Sequence, residues 1–232
     1  MPAGSIVLLP GLGADAAMYR PQQRHFGDRV VTPAWIDPLH LDEPLEQYAA
    51  RLLPTIEAMP GLVRPYHIGG VSFGGMVAGE ICELAPRDCL GLLLIGSCTH
   101  RRQIRLQFRL GEMVIRLSPR GLMKGWLNKI VPEIFAFMER ADPAEKALLA
   151  EMAYRSDTRL IKWQARAIRR WQTQAASRVP MFHAHGALDP VIPIHRRQMR
   201  PGLDLVVDGG HHLIGLTHAG EVNAWLGRVC GP

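Results

Sequence analysis

Short apolar runs alternate with amphipathic segments along the first hundred residues of this 232-residue chain. Four of the runs are predicted to be β-strands: residues 5–9, 29–35, 66–71 and 89–96. Between the later runs, apolar side chains recur at helical spacing over residues 45–59 and 76–84, and each of these segments predicts an amphipathic helix. This alternation of strands and helices indicates a parallel sheet with right-handed crossovers and helices on both faces.

The alternation stops between residues 100 and 177, where only helical patterns occur, interrupted at Pro119, Pro132 and Pro143. It then resumes with strands predicted at residues 179–185 and 203–207 and helices at 193–199 and 221–229. We therefore expect a single α/β domain over residues 1–232, with a mostly parallel central sheet of about six strands. The all-helical segment 100–177 is predicted to be inserted between two of those strands.

The composition is that of a soluble globular protein, with 47% hydrophobic residues and no low-complexity tract. The longest apolar run is about half the length needed to cross a bilayer. The first ten residues lack the charged stretch that precedes the apolar core of a signal peptide. The four cysteines show no C-x-x-C spacing, so they are expected to be reduced. We expect a cytoplasmic protein without a membrane partner.

The net charge of +6 originates in one part of the chain. Residues 100–178 hold 17 lysines and arginines against 7 acidic residues, whereas the remaining residues are acidic overall. The charges are dispersed through amphipathic patterns, which is typical of a solvated helix surface, and no nucleic-acid partner is predicted. The alternative interpretation is that arginines of this segment line the entrance to a substrate site and attract anions, for example Arg101, Arg102 and Arg105.

Ser72 is the candidate nucleophile, at the centre of Gly70-Val-Ser-Phe-Gly74. This sequence fits the G-x-S-x-G nucleophile elbow, a strained turn that lifts a serine hydroxyl above the edge of a sheet. The pattern alone is common by chance, but here it lies between a predicted strand and a predicted helix, as an elbow requires. No lysine follows it, as a phosphate-binding P-loop would need.

A serine nucleophile needs a base within hydrogen-bond reach and an acid that orients the base. Asp189 follows the strand predicted at 179–185, and His211 and His212 follow the strand predicted at 203–207. Residues that follow parallel strands lie at the sheet edge where ligands bind in α/β folds. Chemistry alone does not separate His211 from His212.

Four segments in these places together resemble the α/β-hydrolase family over nearly the whole chain: residues 9–15, 70–75, 185–190 and 209–212. The order Ser, Asp, His along the chain is also the order in that family. The resemblance implies that Ser72 is the nucleophile and Asp189 the acid. It also favours His211 as the base, because His211 directly follows the glycine pair.

The resemblance further implies that the backbone amides of Leu12 and Phe73 form the oxyanion hole. It implies that the helical insertion is a cap over the active site, and that neither a metal nor an organic cofactor takes part. The chain departs from the family at Pro10-Gly11, where many members have His-Gly.

The expected function is therefore that of a carboxylesterase-like serine hydrolase, which cleaves an ester or thioester of a small to medium acyl compound through an acyl-enzyme. Two alternatives stay open, since a fold and a triad do not determine the leaving group. The first is another chemistry on the same triad, such as C–C bond cleavage or acyl transfer. The second is a ligand-binding protein without catalysis. The substrate and the oligomeric state are not predicted.

Overall fold

The computed structural model describes residues 4–171, 178–194 and 204–231. Its strands are β1 (Ile6–Leu9), β2 (Val30–Val31), β3 (Tyr66–Val71), β4 (Cys89–Ile95), β5 (Met181–Gly186) and β6 (Leu205–Val207). They form one six-stranded sheet in the order β2-β1-β3-β4-β5-β6, and all the pairings are parallel. The predicted parallel sheet of six strands is confirmed, although β2 is shorter than the segment predicted at 29–35.

The described helices alternate with the strands from β1 to β4, five more form the insertion, and two follow β6. They are α1 (Arg20–Phe26), α2 (Leu45–Glu57), α3 (Phe73–Leu84), α4 (Leu106–Leu117), α5 (Arg120–Lys129), α6 (Val131–Glu139), α7 (Pro143–Arg155), α8 (Thr158–Arg170), α9 (Ile214–Thr217) and α10 (Ala219–Cys230). Residues 172–177 of the predicted insertion, and most of the helix predicted at 193–199, lie outside the described residues. No helix along the described residues combines the length and apolar character needed to cross a bilayer.

The sheet has a hydrophobic core on each face. On one face, α2 and α3 bury side chains such as Tyr48 and Phe73, and on the other, Tyr19 and Trp225 of α10 are fully buried. Every residue of β1 and β3 is buried, as expected of central strands in a parallel sheet that is covered on both sides.

The insertion between β4 and β5 consists of helices α4 to α8, and α8 returns to the main core. Trp163 of α8 is fully buried, packs edge-on against Phe73 with ring centroids 5.7 Å apart, and donates from its indole nitrogen to the Glu43 carbonyl oxygen at 3.0 Å. Just after α8, the Trp171 indole donates to the buried Glu80 carboxylate at 2.7 Å. The last helix of the insertion is therefore part of the domain core.

Some of the basic excess of the insertion is used in ion pairs with the acidic sheet domain. Arg155 pairs with Asp15 at 2.7 Å, and Arg170 and Arg166 approach Asp42 at 3.2 and 3.6 Å. These pairs are partly exposed, so each contributes at most about 1 kcal/mol. The sequence predicted that the basic side chains of the insertion are solvated. It did not predict this seam, in which some of them form ion pairs with the sheet domain.

The Tyr19 hydroxyl joins the carboxyl ends of β1 and β3. It donates to the Leu9 carbonyl oxygen at 2.7 Å and accepts from the Val71 amide at 2.8 Å. Burial raises the pKa of Tyr19 well above its usual value, so the hydroxyl keeps the proton that it donates. Because Ser72 follows directly after Val71, this bridge also supports the elbow.

We expect Tyr19→Phe to lower the free energy of unfolding by about 1–3 kcal/mol, because it leaves the buried Leu9 carbonyl and Val71 amide without their partner. Urea denaturation measures the loss. The matched control is Tyr154→Phe, since Tyr154 is 71% exposed, and that variant should change stability by less than about 0.5 kcal/mol. Equal stabilities for the two variants would contradict the bridging role.

Candidate active site

The strand β3 ends in a turn at Ser72, and α3 begins at the next residue. Ser72 has φ 52° and ψ −115°, a conformation that costs a residue with a side chain of the order of 1–3 kcal/mol. Backbone bonds hold it there: its amide donates to the Ile95 carbonyl oxygen at 3.1 Å, and the Ser97 hydroxyl donates to its carbonyl oxygen at 2.6 Å. The turn therefore has the strained strand-to-helix geometry of a nucleophile elbow.

The glycines on either side of Ser72 are required by the neighbouring strand. A Cβ atom at Gly70 would lie 2.1 Å from the Leu9 carbonyl oxygen, and one at Gly74 only 1.9 Å from the same atom. Leu9 is the last residue of β1, so any side chain at either position would push β1 away from the elbow. The close approach places the loop after β1 beside Ser72.

Asp189 lies three residues beyond β5, with a fully buried carboxylate. Its Oδ1 accepts from the backbone amides of Val191 and Ile192 at 2.8 and 2.9 Å. Its Oδ2 lies 2.8 Å from Nδ1 of His212. The carboxylate is thus fixed by its own loop and turned towards a single imidazole.

The sequence-based choice of His211 as the partner of Asp189 is wrong, because the structure pairs His212 with the acid. Nδ1 of His211 is buried and has no hydrogen-bond partner among the described residues, and His211 does not line the cavity above Ser72. The His212 side chain is buried, contacts Asp189 and lines that cavity together with Ser72.

The reason is the close packing of the histidine loop on the end of β5. A Cβ atom at Gly186 would lie 2.0 Å from the His211 carbonyl oxygen and 2.4 Å from that of Gly210. The loop backbone therefore lies directly against β5 at His211, and it is the side chain of the following residue that reaches Asp189. Counting residues from the glycine pair does not reveal this contact.

The acid and the imidazole shift each other's pKa. Burial alone would lower the pKa of His212, but the charge and hydrogen bond of Asp189 outweigh it and raise the pKa above 6.5. Burial likewise opposes ionisation of Asp189, but the charge and hydrogen bond of His212 lower its pKa below 3.8. His185 also lies near, 3.9 Å from Oδ2 of Asp189, but burial lowers the pKa of His185 to about 4, and it stays neutral.

The cavity above Ser72 has a volume of about 600 Å³ and extends between the sheet edge and the inserted helices. Helices α4 to α8 all contribute to its walls, so the insertion roofs the site as a cap. Most of the lining side chains are apolar. Within the described residues, no group of three or more His, Cys, Asp or Glu side chains could hold a metal ion.

Residues 6–225 match the sequence model of the Alpha/beta hydrolase family. The chain belongs to the alpha/beta hydrolase family. No protein of curated function shows significant similarity to it over its sequence.

Solved structures with the same fold include esterases and lactonases. An enol-lactonase from Burkholderia xenovorans LB400 has a TM-score of 0.76 at 16% identity, covering 99% of this chain and 92% of that one. A thermophilic esterase from Thermogutta terrifontis has a TM-score of 0.74 at 15% identity, covering 98% and 92%. An N-acyl homoserine lactonase has a TM-score of 0.74 at 17% identity, covering 99% and 90%. At these identities the likeness shows a shared fold.

The loop after β1, where Leu12 lies, is held by the cap of this alpha/beta hydrolase. Leu12 lines the cavity, and the amide of the next residue, Gly13, donates to Oε1 of Gln164 at 3.0 Å. Gln164 is a fully buried residue of α8. Phe73, the other predicted oxyanion donor, begins α3, so its amide is among the first-turn donors that have no acceptor within the helix. Gln164 was not recognised in the sequence, where it is one polar residue in an amphipathic helix.

A second cap residue, Glu139, holds the histidine loop. This carboxylate lies at the end of α6 and is only 2% exposed. Its Oε1 accepts from the His212 amide at 3.1 Å, and its Oε2 accepts from the Leu213 amide at 2.7 Å. Burial raises the pKa of Glu139, although these donors and His212 partly oppose the shift. No motif marks Glu139 in the sequence, because its partners lie 73 and 74 residues away.

We expect Glu139→Gln to lower the pKa of His212, because the carboxylate charge is one of the influences that raise it. The pKa is measured by NMR titration of the labelled imidazoles, with the His212 signal assigned by its loss in a His212→Ala variant. The matched control is Glu133→Gln on the same helix, since the Glu133 side chain is 61% exposed. An unchanged His212 pKa in Glu139→Gln would contradict the electrostatic coupling.

Proposed function

We propose that this alpha/beta hydrolase is a serine hydrolase that cleaves a carboxylic ester or thioester of a small to medium acyl compound. The observation that supports it most strongly is the convergence of a strained serine and an acid-bound histidine on one cavity. Ser72 and His212 both line this cavity, and His212 is bonded on its far side to the buried Asp189.

The hydrogen bond from His212 to Asp189 determines which imidazole nitrogen acts as the base. Nδ1 lies 2.8 Å from a carboxylate, so it carries the proton in the neutral ring. Nε2 is then the acceptor, and it takes the proton of the Ser72 hydroxyl as the oxygen attacks the carbonyl carbon. Asp189 stabilises the imidazolium that results. Below the raised pKa of His212 the ring is already protonated, so kcat/KM should fall on the acidic side.

The developing negative charge on the carbonyl oxygen requires donors that are in place before the reaction. In our proposal these are the backbone amides of Leu12 and Phe73. The contact of Gln164 with the Gly13 amide fixes the loop of the first donor, and the start of α3 fixes the second. Collapse of the tetrahedral intermediate expels the alcohol or thiol, which takes the proton from His212. Water then releases the acid by the same steps in reverse.

Two observations, the cavity and the structural neighbours, support the proposed substrate class. A cavity of about 600 Å³ with mainly apolar walls accommodates a small to medium acyl group. The structural neighbours named above are an esterase and two lactonases, and a lactone is a cyclic ester. C–C bond cleavage and acyl transfer use the same triad. They are separated from hydrolysis by measuring kcat/KM on a panel of esters and thioesters of graded acyl length.

We expect Ser72→Ala to reduce ester hydrolysis by roughly 10⁴-fold or more, because it removes the nucleophile. A fluorophosphonate probe should label the wild-type protein and not this variant. The matched control is Ser156→Ala, since Ser156 also lines the cavity but its hydroxyl donates to the Ala153 carbonyl. An unlabelled wild-type protein that still binds ligands would instead favour a receptor without catalysis.

We expect His212→Ala to lower kcat by roughly 10³-fold or more, because the base is lost. His211→Ala should lower kcat far less, since His211 does not line the cavity. Steady-state kinetics on one ester substrate measures both variants, with melting temperatures recorded in parallel. The reverse result would return the role of the base to His211.

A further inference from the structure

The charged side chains among the described residues of the cavity wall are all basic. The described residues that line the cavity include two arginines, Arg101 and Arg169, and no aspartate or glutamate. The nearby Asp189 lies behind His212 and is paired with it. An anionic group that enters this apolar cavity therefore meets arginine side chains and no carboxylate among the described lining residues.

Arg101 is held in position by the backbone of the cap. It lies in a short 3-10 helix (Arg101–Gln103) that follows β4, and its Nη1 donates to the Arg169 carbonyl oxygen at 2.6 Å. That carbonyl belongs to the last turn of α8, where unpaired carbonyls and the helix dipole favour a cation. The bond orients the guanidinium and uses only one of its five N–H donors.

Arg101 differs from the cap arginines at the seam in that it forms no ion pair with a carboxylate of the described residues. Arg155 pairs with Asp15, and Arg166 and Arg170 pair with Asp42, at the seam between cap and sheet. No carboxylate of the described residues forms an ion pair with Arg101. Its remaining donors are therefore available to a ligand in the cavity. Of the three arginines considered from the sequence, only Arg101 lines the cavity, whereas Arg102 and Arg105 are exposed and do not.

We propose that Arg101 forms an anion subsite, and that the preferred substrate is an ester that carries a carboxylate at the end remote from the scissile bond. This inference rests on the proposed ester hydrolysis and specifies its substrate class. The ester carbonyl lies at Ser72, an apolar chain occupies the cavity, and the carboxylate accepts from the Arg101 guanidinium. A planar guanidinium binds a carboxylate through two parallel hydrogen bonds, which a neutral ester end does not provide.

The test compares monoethyl adipate, which is anionic, with diethyl adipate, which is neutral. We expect the wild-type enzyme to have the higher kcat/KM on the monoester. We expect Arg101→Gln to raise KM for the monoester by about 10- to 100-fold, at least tenfold more than for the diester. Arg101→Lys should recover part of the loss. The matched control Arg102→Gln, at an exposed neighbour that does not line the cavity, should leave both substrates unchanged.

A second measurement does not depend on the folding of any Arg101 variant. Adipate should compete with diester hydrolysis by the wild-type enzyme, and its inhibition constant should rise as ionic strength passes about 0.1 M. Inorganic phosphate serves as the alternative anion. Stronger inhibition by phosphate than by adipate would overturn the carboxylate assignment in favour of a phosphate ester.

The failures of the two proposals are distinguishable. If Ser72-dependent hydrolysis is observed but Arg101→Gln weakens both adipate esters equally, the anion subsite is wrong and the hydrolase proposal stands. If adipate does not inhibit at any salt concentration, the subsite is likewise wrong. If the Ser72 hydroxyl is inert to both esters and to the fluorophosphonate probe, the hydrolase proposal itself fails.

Discussion

The structure depends on the close approach of β1 to the turn that follows β3. Two glycines bring the Leu9 carbonyl so near to the elbow that no Cβ atom fits at Gly70 or Gly74. The Tyr19 hydroxyl bridges the same two strand ends. This contact holds Ser72 in a backbone conformation that a free chain rarely adopts, and it brings the loop of Leu12 beside it. The strain at the serine is thus offset by packing of the core around it.

The cap covers the cavity and also holds two loops of the site. Gln164 of α8 holds the loop after β1, and Glu139 of α6 holds the backbone at His212 and Leu213. Both side chains are buried, and both accept hydrogen bonds from backbone amides of the sheet domain. A shift of the cap would therefore disturb the predicted oxyanion loop and the proposed base, His212, together. Since α8 is also packed into the core through Trp163, the cap is connected to the sheet edge that carries Ser72 and His212.

Charged side chains interact in two places, at the surface between cap and sheet domain and in the buried site. Across the outer seam, arginines of the cap meet Asp15 and Asp42 in partly exposed pairs that contribute little individually. Inside, Asp189 and His212 form a buried pair: burial opposes the charge of each group, and each group shifts the pKa of the other towards its charged form. The basic excess of the cap is thus not a uniform surface property: part of it attaches the cap, and part of it faces the cavity.

The local patterns of the sequence by themselves determined the parallel sheet, and they predicted the helical insertion and the elbow at Ser72. Each of these is a local feature, because apolar periodicity and a glycine-framed serine can be recognised within about ten residues. Only the tertiary structure decided between His211 and His212, because the choice depends on how the histidine loop packs against Gly186 of another strand. Only the tertiary structure likewise revealed the contacts of Glu139 and Gln164. Their partners lie 73 or more residues away, and local sequence patterns do not predict contacts over such a separation.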